Sequence, residues 1–472
     1  MSKYYITTPI YYVNDKPHLG HAYTTLCADV LARWHRDRGD EVFFLTGTDE
    51  HGAKVQQAAE AAGLTPKEFA DKTSQTFKQA WKILGLSHDD FIRTSQPEHQ
   101  QIVQELLQKI YDRGFIYDRE YEGLYCIGCE KFLQIDDLIN NVCPLHPKDK
   151  PVKQKEKNYF FKLSAFREEL LNAIKQGKYQ IVPEERKNEI VGKLKKGLDD
   201  VSISRSEVSW GVPIPWDKTQ TVYVWIDALV NYYSATQFIQ KAKGFWPAQV
   251  HLLGKDILWF HAVIWEAFLL AAGLDLPKVV AAHGFFTVDG QKMSKSLGNV
   301  IDPADLIKEF GLDATRYLIL SQLSFANDSD ISLTRFRERY DSDLANGLGN
   351  TFSRVTNMAE KYGVDIQVPR EEFWANQMEK DINNYSFDGA LAEVVGCLRE
   401  IDRQIDTTKP WIMAKGEQCN EVPRLVGNWI HGLCQVAVAL EPFMPETAKI
   451  IQKALQADKI TKADPLFPRL TN

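Results

Sequence analysis

The sequence predicts an α/β protein built on a doubly wound parallel sheet, interrupted by an inserted domain and followed by an all-α helical bundle. Three patterns support this prediction. Two strand–helix–strand units lie far apart in the chain, the stretch between them changes in composition, and apolar residues after about Ser332 follow helical spacing almost throughout. With 472 residues, the chain is too long for a single compact core.

The first strand–helix–strand unit lies at the start of the chain. Residues 4–10 read as a short buried strand, and apolar spacing predicts a helix over residues 22–38. Gly39 then predicts a C-cap, and residues 41–45 predict the next strand. Such a unit forms half of a Rossmann-like sheet.

The second unit comprises a strand at 251–253, a helix at 257–272 and a strand at 278–282. Between the two units the sequence is rich in Lys, Gly, Cys and aromatic residues in short runs, which favours an insertion that splits one sheet. The predicted segments are the first half of the sheet domain at 1–113, the inserted domain at 114–220, the second half at 221–290, a loop region at 291–335 and the helical bundle at 336–472.

Composition and charge exclude several classes of protein. Hydrophobic residues make up 44% and charged residues 25%, as in ordinary globular proteins. A formal net charge of -7 argues against indiscriminate binding to nucleic acid, although it leaves room for a local basic track. No apolar run is as long as a membrane span, and the first residues lack a secretory pattern, so we expect a cytoplasmic protein.

Two short motifs carry the strongest functional signal. His18-Leu19-Gly20-His21 lies where the first strand's loop meets the first helix, so backbone N–H groups and imidazoles suit a phosphate, and Gly20 leaves room for adenine or ribose. Lys292-Met293-Ser294-Lys295-Ser296 follows a turn, and its lysines can reach a triphosphate. Taken alone, the two histidines could be solvated or satisfied in the core, and the lysine motif could be a solvated basic turn. Together they predict an ATP-using site that activates its substrate by attack at the α-phosphate.

A third pattern indicates a metal site. Cys126 and Cys129 form one pair with a two-residue gap, and Cys143 and His146 form another. Three thiolates and one imidazole predict a single closed, tetrahedral, structural zinc site, because four protein ligands leave no open position for catalysis. The remaining cysteines lie in helical patterns and are interpreted as buried thiols: Cys27, Cys397, Cys419 and Cys434.

The two signature motifs, in their order and strand contexts, resemble those of the class I aminoacyl-tRNA synthetases. Across essentially its whole length the chain closely resembles the methionyl-tRNA synthetase family. The resemblance implies a methionine–tRNA ligase that uses ATP with Mg²⁺, L-methionine and tRNA(Met), including the initiator tRNA. It also implies that His18, Gly20, His21, Lys292 and Lys295 are catalytic. Of these, His18 and His21 act on the α-phosphate and Lys292 and Lys295 on the leaving pyrophosphate, while Ser294 joins the histidines and lysines in binding ATP.

By the same resemblance, Asp49 in Gly47-Thr48-Asp49-Glu50-His51-Gly52 matches the carboxylate that holds the substrate's ammonium group. Aromatic residues at helical spacing usually belong to a core, yet they also suit a thioether. The positions that match the family's methionine pocket are Ile10, Tyr12, Trp225, Ala228, Tyr232, Ile257, Phe260, His261 and Trp265. One methylene discriminates by only about 1–3 kcal/mol, so we expect homocysteine to be rejected partly by editing.

The resemblance extends to the helical region. Asn350, Arg354 and Trp411 match the positions that read the CAU anticodon, where an amide, a guanidinium and an indole can bond to and stack on splayed bases. Residues 291–335 match a stem-contact region. The sequence ends soon after the bundle, and we therefore expect a monomer.

Two alternatives remain at this stage. One is a catalytically silent synthetase-like module that only binds tRNA, which the intact motif residues disfavour. The other is a class I synthetase for a different apolar amino acid. Two features disfavour that reading: the insertion is small and carries a single zinc-binding motif, and a large separate editing domain is lacking.

Overall fold

The computed structural model describes residues 2–14, 16–126, 131–133, 138, 141–144, 150–292, 300–362 and 375–470. Its internal contacts divide the chain into two compact units. Unit 1 comprises Met1–Pro17, Arg38–Trp81 and Ser87–Ala282, and unit 2 comprises His18–Asp37, Lys82–Leu86 and His283–Asn472. Within the described ranges, no helix is long and apolar enough to cross a membrane. The cytoplasmic location stays a prediction.

The strands are, in chain order, β1 (Lys3–Tyr12), β2 (Glu41–Asp49), β3 (Asp90–Arg93), β4 (Ile116–Cys126), β5 (Lys131–Leu133), β6 (Val152–Phe161), β7 (Gln180–Val182), β8 (Val201–Ser202), β9 (Ser204–Arg205), β10 (Pro213–Ile214), β11 (Asp217–Val222), β12 (Val250–Gly254), β13 (Val279–His283), β14 (Phe286–Val288), β15 (Gln291–Lys292) and β16 (Ser329–Ile331).

The helices are α1 (Leu19–Asp37), α2 (Ala53–Ala61), α3 (Pro66–Ile83), α4 (Pro97–Asp112), α5 (Arg167–Lys175), α6 (Glu184–Lys196), α7 (Val224–Phe238), α8 (Glu266–Ala272), α9 (Pro303–Phe310), α10 (Leu312–Gln322), α11 (Leu333–Arg339), α12 (Asn350–Tyr362), α13 (Ala375–Asn383), α14 (Phe387–Thr408), α15 (Pro410–Met413), α16 (Val422–Leu440) and α17 (Pro445–Leu455). Two π-helical segments, Phe260–Trp265 and Tyr340–Gly349, run directly into α8 and α12.

A six-stranded sheet in the order β3-β2-β1-β12-β13-β7 forms the centre of unit 1. β1 pairs in parallel with both β2 and β12, β2 pairs in parallel with β3, and β13 pairs in parallel with β7. The chain thus winds outward from β1 to β3 and returns on the other side at β12, which confirms the predicted doubly wound sheet. In such sheets a crevice opens at the carboxyl ends of the strands where the order reverses.

The strand β7 was not predicted. It comes from within the segment interpreted as an insertion, yet it extends the main sheet beside β13, with Ile181 opposite Val280. The rest of that segment includes a separate antiparallel sheet in the order β5-β4-β6-β8, in which β4 and β6 pair from Ile116 opposite Phe161 to Tyr125 opposite Val152. A third, three-stranded sheet has the order β10-β11-β9.

Unit 2 is predominantly helical, which confirms the predicted helical region. The predicted helix over residues 22–38 corresponds to α1, and Gly39 follows it with a φ of 83°, as a C-cap glycine requires. Arg316 of α10 is fully buried and donates hydrogen bonds to Asp29 of α1 at 2.7 Å and to the carbonyl oxygens of Leu84, Pro442 and Phe443. The Arg316 guanidinium therefore links α10 to α1, to the segment at Leu84 and to the segment at Pro442 and Phe443.

Candidate functional site

The start of α1 places His18 and His21 against each other. Their rings stack with centroids 3.7 Å apart and an interplanar angle of 20°. Glycine suits position 20, because a Cβ there would lie only 3.0 Å from the His18 ring. The glycine therefore lets the first imidazole fold back over the turn.

The hydrogen bonds of these two rings define which nitrogen of each carries the proton. His18 Nδ1 accepts from the Gly20 N–H at 3.1 Å, and His21 Nδ1 accepts from the His18 N–H at 3.3 Å. A neutral imidazole whose Nδ1 accepts must carry its proton on Nε2. Burial, together with the neighbouring His18, holds the pKa of His21 well below its ordinary value, so His21 is neutral at pH 7. Both rings therefore carry their proton on Nε2.

Within unit 2, α1 is also bonded to residues on both sides of the second signature motif. Thr24 Oγ1 lies 2.7 Å from His283 Nε2, and the Leu19 N–H donates to the Ile301 carbonyl at 3.2 Å. The backbone of Lys292 pairs in β15 opposite Thr287. The Lys292 side chain, Ser294 and Lys295 lie outside the described residues, so their predicted role stays a prediction.

In unit 1, β2 ends at Asp49, and a close approach of backbones fixes its end. Gly47 faces β3 so closely that a Cβ would lie 2.1 Å from the Ile92 carbonyl oxygen. Asp49 is 7% exposed, and its carbonyl accepts a hydrogen bond from the Val13 N–H at 3.1 Å. The predicted ammonium-binding carboxylate is therefore on a rigid strand end.

Glu50, the next residue, is fully buried, and both of its carboxylate oxygens accept hydrogen bonds. Arg93 donates to both of its oxygens at 2.7 and 2.8 Å, and Thr48 Oγ1 donates at 2.7 Å. Its N–H donates to Thr94 Oγ1 at 2.9 Å, and Trp210 Nε1 donates to its carbonyl. This ion pair anchors one side of the segment that carries Asp49.

On the other side, His51 donates from Nδ1 to Asp227 of α7 at 2.7 Å. The second oxygen of Asp227 accepts from His99 Nε2 at 3.0 Å, and His99 Nδ1 lies 2.7 Å from Ser234 Oγ. None of these four residues is more than 2% exposed. Burial alone would raise the pKa of Asp227, but His51 and His99 lower it to about 2, so it is a carboxylate.

Three of the predicted methionine-binding residues, Ile257, His261 and Tyr232, form a second hydrogen-bond network. His261 Nδ1 bonds to the Ile257 carbonyl at 3.0 Å, so Nε2 is the acceptor and receives the Tyr232 hydroxyl at 2.8 Å. Burial lowers the pKa of His261 to about 4 and raises that of Tyr232 above its ordinary value. Both groups are therefore uncharged, which suits a thioether substrate.

Aromatic contacts complete this region. Trp225 stacks on Phe260 with centroids 4.1 Å apart, and Trp265 meets Tyr232 edge-on at 6.3 Å. Ile10 and Ala228 belong to one buried cluster, whereas Tyr232 and Trp265 belong to another, and Trp246 packs against both. Four other predicted pocket residues are half-buried and pack against the second cluster: Tyr12, Trp225, Ile257 and Phe260.

Two of the four predicted metal ligands fall within the described residues. Cys126 at the end of β4 and Cys143 are both buried and share a small cluster with Leu133 and Leu138. Cys129 and His146 lie outside the described residues. Among the residues that are described, no group of three or more His, Cys, Asp or Glu side chains could hold a metal ion.

The predicted anticodon residues lie in unit 2. Asn350 is exposed at the start of α12, and Trp411 on α15 is 43% exposed. Arg354 is only partly exposed and donates to Asp402 at 2.9 Å and to Asp406 at 2.6 Å, both on α14. Two ion pairs therefore hold the Arg354 guanidinium against α14.

Sequence reasoning missed the buried polar contacts beside the predicted residues. In unit 1 these are Glu50 with Arg93 and Asp227 with His51 and His99, and in unit 2 Thr24 with His283. A signal was present for Asp227, because it is an isolated carboxylate in the apolar run Val222–Ala228. Buried charges are expensive unless they are paired, so such a residue calls for a partner.

The doubly wound sheet, the paired imidazoles at the start of α1 and the split arrangement of the chain define a class I tRNA synthetase. The family model for "tRNA synthetases class I (M)" matches residues 4–149 and 134–356. A methionine–tRNA ligase of Streptomyces coelicolor is 43% identical over 484 aligned residues, which cover 96% of this chain and 90% of that protein. One of Thermotoga maritima is 41% identical, covering 95% of this chain and 74% of its own length.

Among solved structures, the methionyl-tRNA synthetase of Mycobacterium tuberculosis in complex with methionyl-adenylate matches with a TM-score of 0.91. The identity is 33%, and the match covers 99% of this chain and 100% of that one. The chain belongs to the methionyl-tRNA synthetase family.

Proposed function

We propose that the chain is a methionine–tRNA ligase, which joins methionine to AMP and then transfers it to the 3′ end of tRNA(Met). The observation that carries the proposal is the stacked imidazole pair of His18 and His21. In each ring Nδ1 accepts a hydrogen bond from a backbone N–H, so the proton is on Nε2, and both rings lie at the start of a helix. The near full-length likeness to methionine–tRNA ligases supports methionine as the substrate.

In the first step, a carboxylate oxygen of methionine attacks the α-phosphorus of ATP. The bond from that phosphorus to the bridging oxygen breaks, and pyrophosphate leaves with the electron pair. Negative charge grows on the α-phosphate oxygens, where the Nε2–H groups of His18 and His21 donate. Lys292 and Lys295 hold the leaving pyrophosphate, Ser294 contributes to ATP binding, and Mg²⁺ would accompany ATP. No general base is required because the nucleophile is already ionised.

Substrate choice is assigned to unit 1. Asp49 receives the ammonium group, and the aromatic side chains on α7 and the π-helical segment receive the thioether. Since the Tyr232 hydroxyl donates to His261, this wall of the pocket is neutral and presents no charge to the sulfur. The pocket cannot exclude homocysteine by one methylene alone, so editing is part of the proposal.

In the second step, a terminal ribose hydroxyl of tRNA attacks the carbonyl carbon of the adenylate, and AMP leaves. We assign residues 291–335 to stem contact and residues 336–472 to anticodon binding. Asn350, Arg354 and Trp411 would read the CAU anticodon, including that of the initiator tRNA. Arg354 must then exchange its bonds to Asp402 and Asp406 for bonds to a base. The expected state of the protein is a monomer.

One structural zinc ion is proposed in the inserted domain. Cys126 and Cys143 share one buried cluster, and thiolates with an imidazole form a typical closed zinc site. Cys126, Cys129, Cys143 and His146 would hold the ion. Elemental analysis should find about one zinc per chain in the purified protein and less in Cys143→Ser, whereas Cys419→Ser, at an exposed position, should keep it. Equal zinc content in both variants would reject the assignment.

The test of the proposed function is amino-acid-dependent exchange of pyrophosphate into ATP, without tRNA, using methionine, leucine, isoleucine, valine and cysteine. Exchange should require methionine. His21→Ala should lower the rate constant by about 100-fold or more, because one oxyanion donor is typically worth that much. His21→Gln, whose amide can replace the Nε2–H, should recover part of it. Absence of exchange with every amino acid would favour a tRNA-binding module instead.

A further inference from the structure

The segment that carries Asp49 is held by different buried groups on its two faces. β2 ends at Asp49, and Glu50 and His51 continue the chain directly beyond it. Thr48 Oγ1 donates to Glu50 at 2.7 Å, so these two side chains lie together on one face of the segment. Arg93 anchors that face through Glu50, and Asp227 anchors a second face through His51.

Asp227 is suited to hold this second face firmly. It is fully buried and ionised, and each of its oxygens accepts one imidazole N–H, at 2.7 Å from His51 and 3.0 Å from His99. Hydrogen bonds to an ionised acceptor are about twice as strong as neutral ones. Removal of a partner would leave buried charge uncompensated, so the network resists rearrangement.

Asp227 also lies on the helix that forms much of the methionine pocket. α7 carries Trp225, Ala228 and Tyr232, and Asp227 sits between the first two of these. The bond from His51 to Asp227 therefore ties the Asp49 segment directly to the aromatic wall of the pocket. Neither His51 nor Asp227 is among the residues predicted to contact methionine, so the link is additional to the predicted pocket.

We propose that Asp227 is a positioning residue, which acts through His51 to hold Asp49 at the distance from the α7 side chains that the methionine substrate requires. The inference rests on the proposed role of Asp49 in binding the substrate's ammonium group. Two ends of one small substrate are recognised by Asp49 and by the aromatic rings, so an error in their separation weakens both interactions together.

We expect disruption of the His51–Asp227 bond to change KM for methionine and not KM for ATP. A displacement of about 1 Å can cost roughly 100-fold in a positioned reaction. His51→Ala should therefore raise KM for methionine in pyrophosphate exchange by about 30- to 100-fold, whereas KM for ATP should change by less than about threefold, because no ATP contact is assigned to this network.

Amide substitutions test the geometry. The side-chain amide nitrogen of Asn can replace the Nδ1–H of histidine, and that of Gln can replace the Nε2–H. His51→Asn keeps the donor to Asp227 and should bring KM for methionine back to within about fivefold of the parent protein. His51→Gln places its donor elsewhere and should not.

His99 provides the matched control. It donates to the same carboxylate and is equally buried, but it is on α4 and has no bond to the Asp49 segment. His99→Ala should lower thermal stability about as much as His51→Ala does, yet leave KM for methionine within about threefold of the parent protein. Thermal unfolding of each variant identifies any that fail to fold.

The outcomes separate this inference from the proposed function. Parent protein without methionine-dependent exchange would reject the proposed function itself. Active parent protein combined with equal rises in KM for methionine in His51→Ala and His99→Ala would show that Asp227 only stabilises the core. Failure of His51→Asn to recover affinity, while the variant remains folded, would also overturn the positioning role.

Discussion

Glu266→Gln should stabilise the protein by an amount that grows with pH. Glu266 at the start of α8 is fully buried, and neither carboxyl oxygen has a hydrogen-bond partner among the described residues. Burial without a partner raises its pKa well above the ordinary value, so the folded protein holds a neutral carboxyl group. In the unfolded chain, by contrast, the same carboxyl group releases its proton at about pH 4.3, which is the reference pKa of an exposed Glu.

The sign follows from proton binding. Between the pKa of the unfolded chain and that of the folded protein, the folded state binds one more proton, so the free energy of unfolding falls as pH rises. The contribution of Glu266 is complete below the unfolded pKa and is lost as pH rises toward the folded pKa. The slope is about 1.4 kcal/mol per pH unit. Gln cannot ionise and lacks this slope.

Urea unfolding of both proteins at pH 5.5, 6.5 and 7.5 measures the effect. The advantage of Glu266→Gln should increase by about 1.4 kcal/mol per pH unit until pH passes the folded pKa of Glu266. Glu185→Gln, at an exposed position on α6, is the control and should give a difference that does not change with pH. An advantage of Glu266→Gln that stays constant across the three pH values would refute the reasoning.

Three further perturbations follow from the contacts. Arg316→Met should lower the free energy of unfolding by about 3 kcal/mol in urea titrations, because three carbonyl groups lose a donor and Asp29 loses one of its two guanidinium partners, keeping Arg33; a loss below about 1 kcal/mol would contradict this. Tyr232→Phe leaves His261 Nε2 without its donor and should raise KM for methionine by about tenfold at unchanged KM for ATP, which exchange kinetics would reveal. Gly47→Ala should prevent accumulation of folded protein, since the Cβ would overlap β3; a normal melting curve would refute it.

The sequence predicted the elements of the sheet because their signals are local. Apolar runs of strand length, a helix between them and Gly39 after it are all visible within short windows, and the structure places β1, α1 and β2 accordingly. The position of β7 was not predictable in this way. Three residues carry too little pattern to specify which strand they pair with, and the partner β13 lies about a hundred residues further along the chain.

The same limit applies to the buried charges, as Asp227 and Glu266 illustrate. Each is a single carboxylate in an apolar helical run, so a local pattern treats them alike. In the fold, Asp227 meets two imidazoles, one of them 176 residues away, and its pKa falls to about 2. Glu266 meets no partner among the described residues, and its pKa rises. An isolated acidic residue in an apolar run therefore indicates an unusual site, but only the tertiary partners decide whether it holds a charge or a proton.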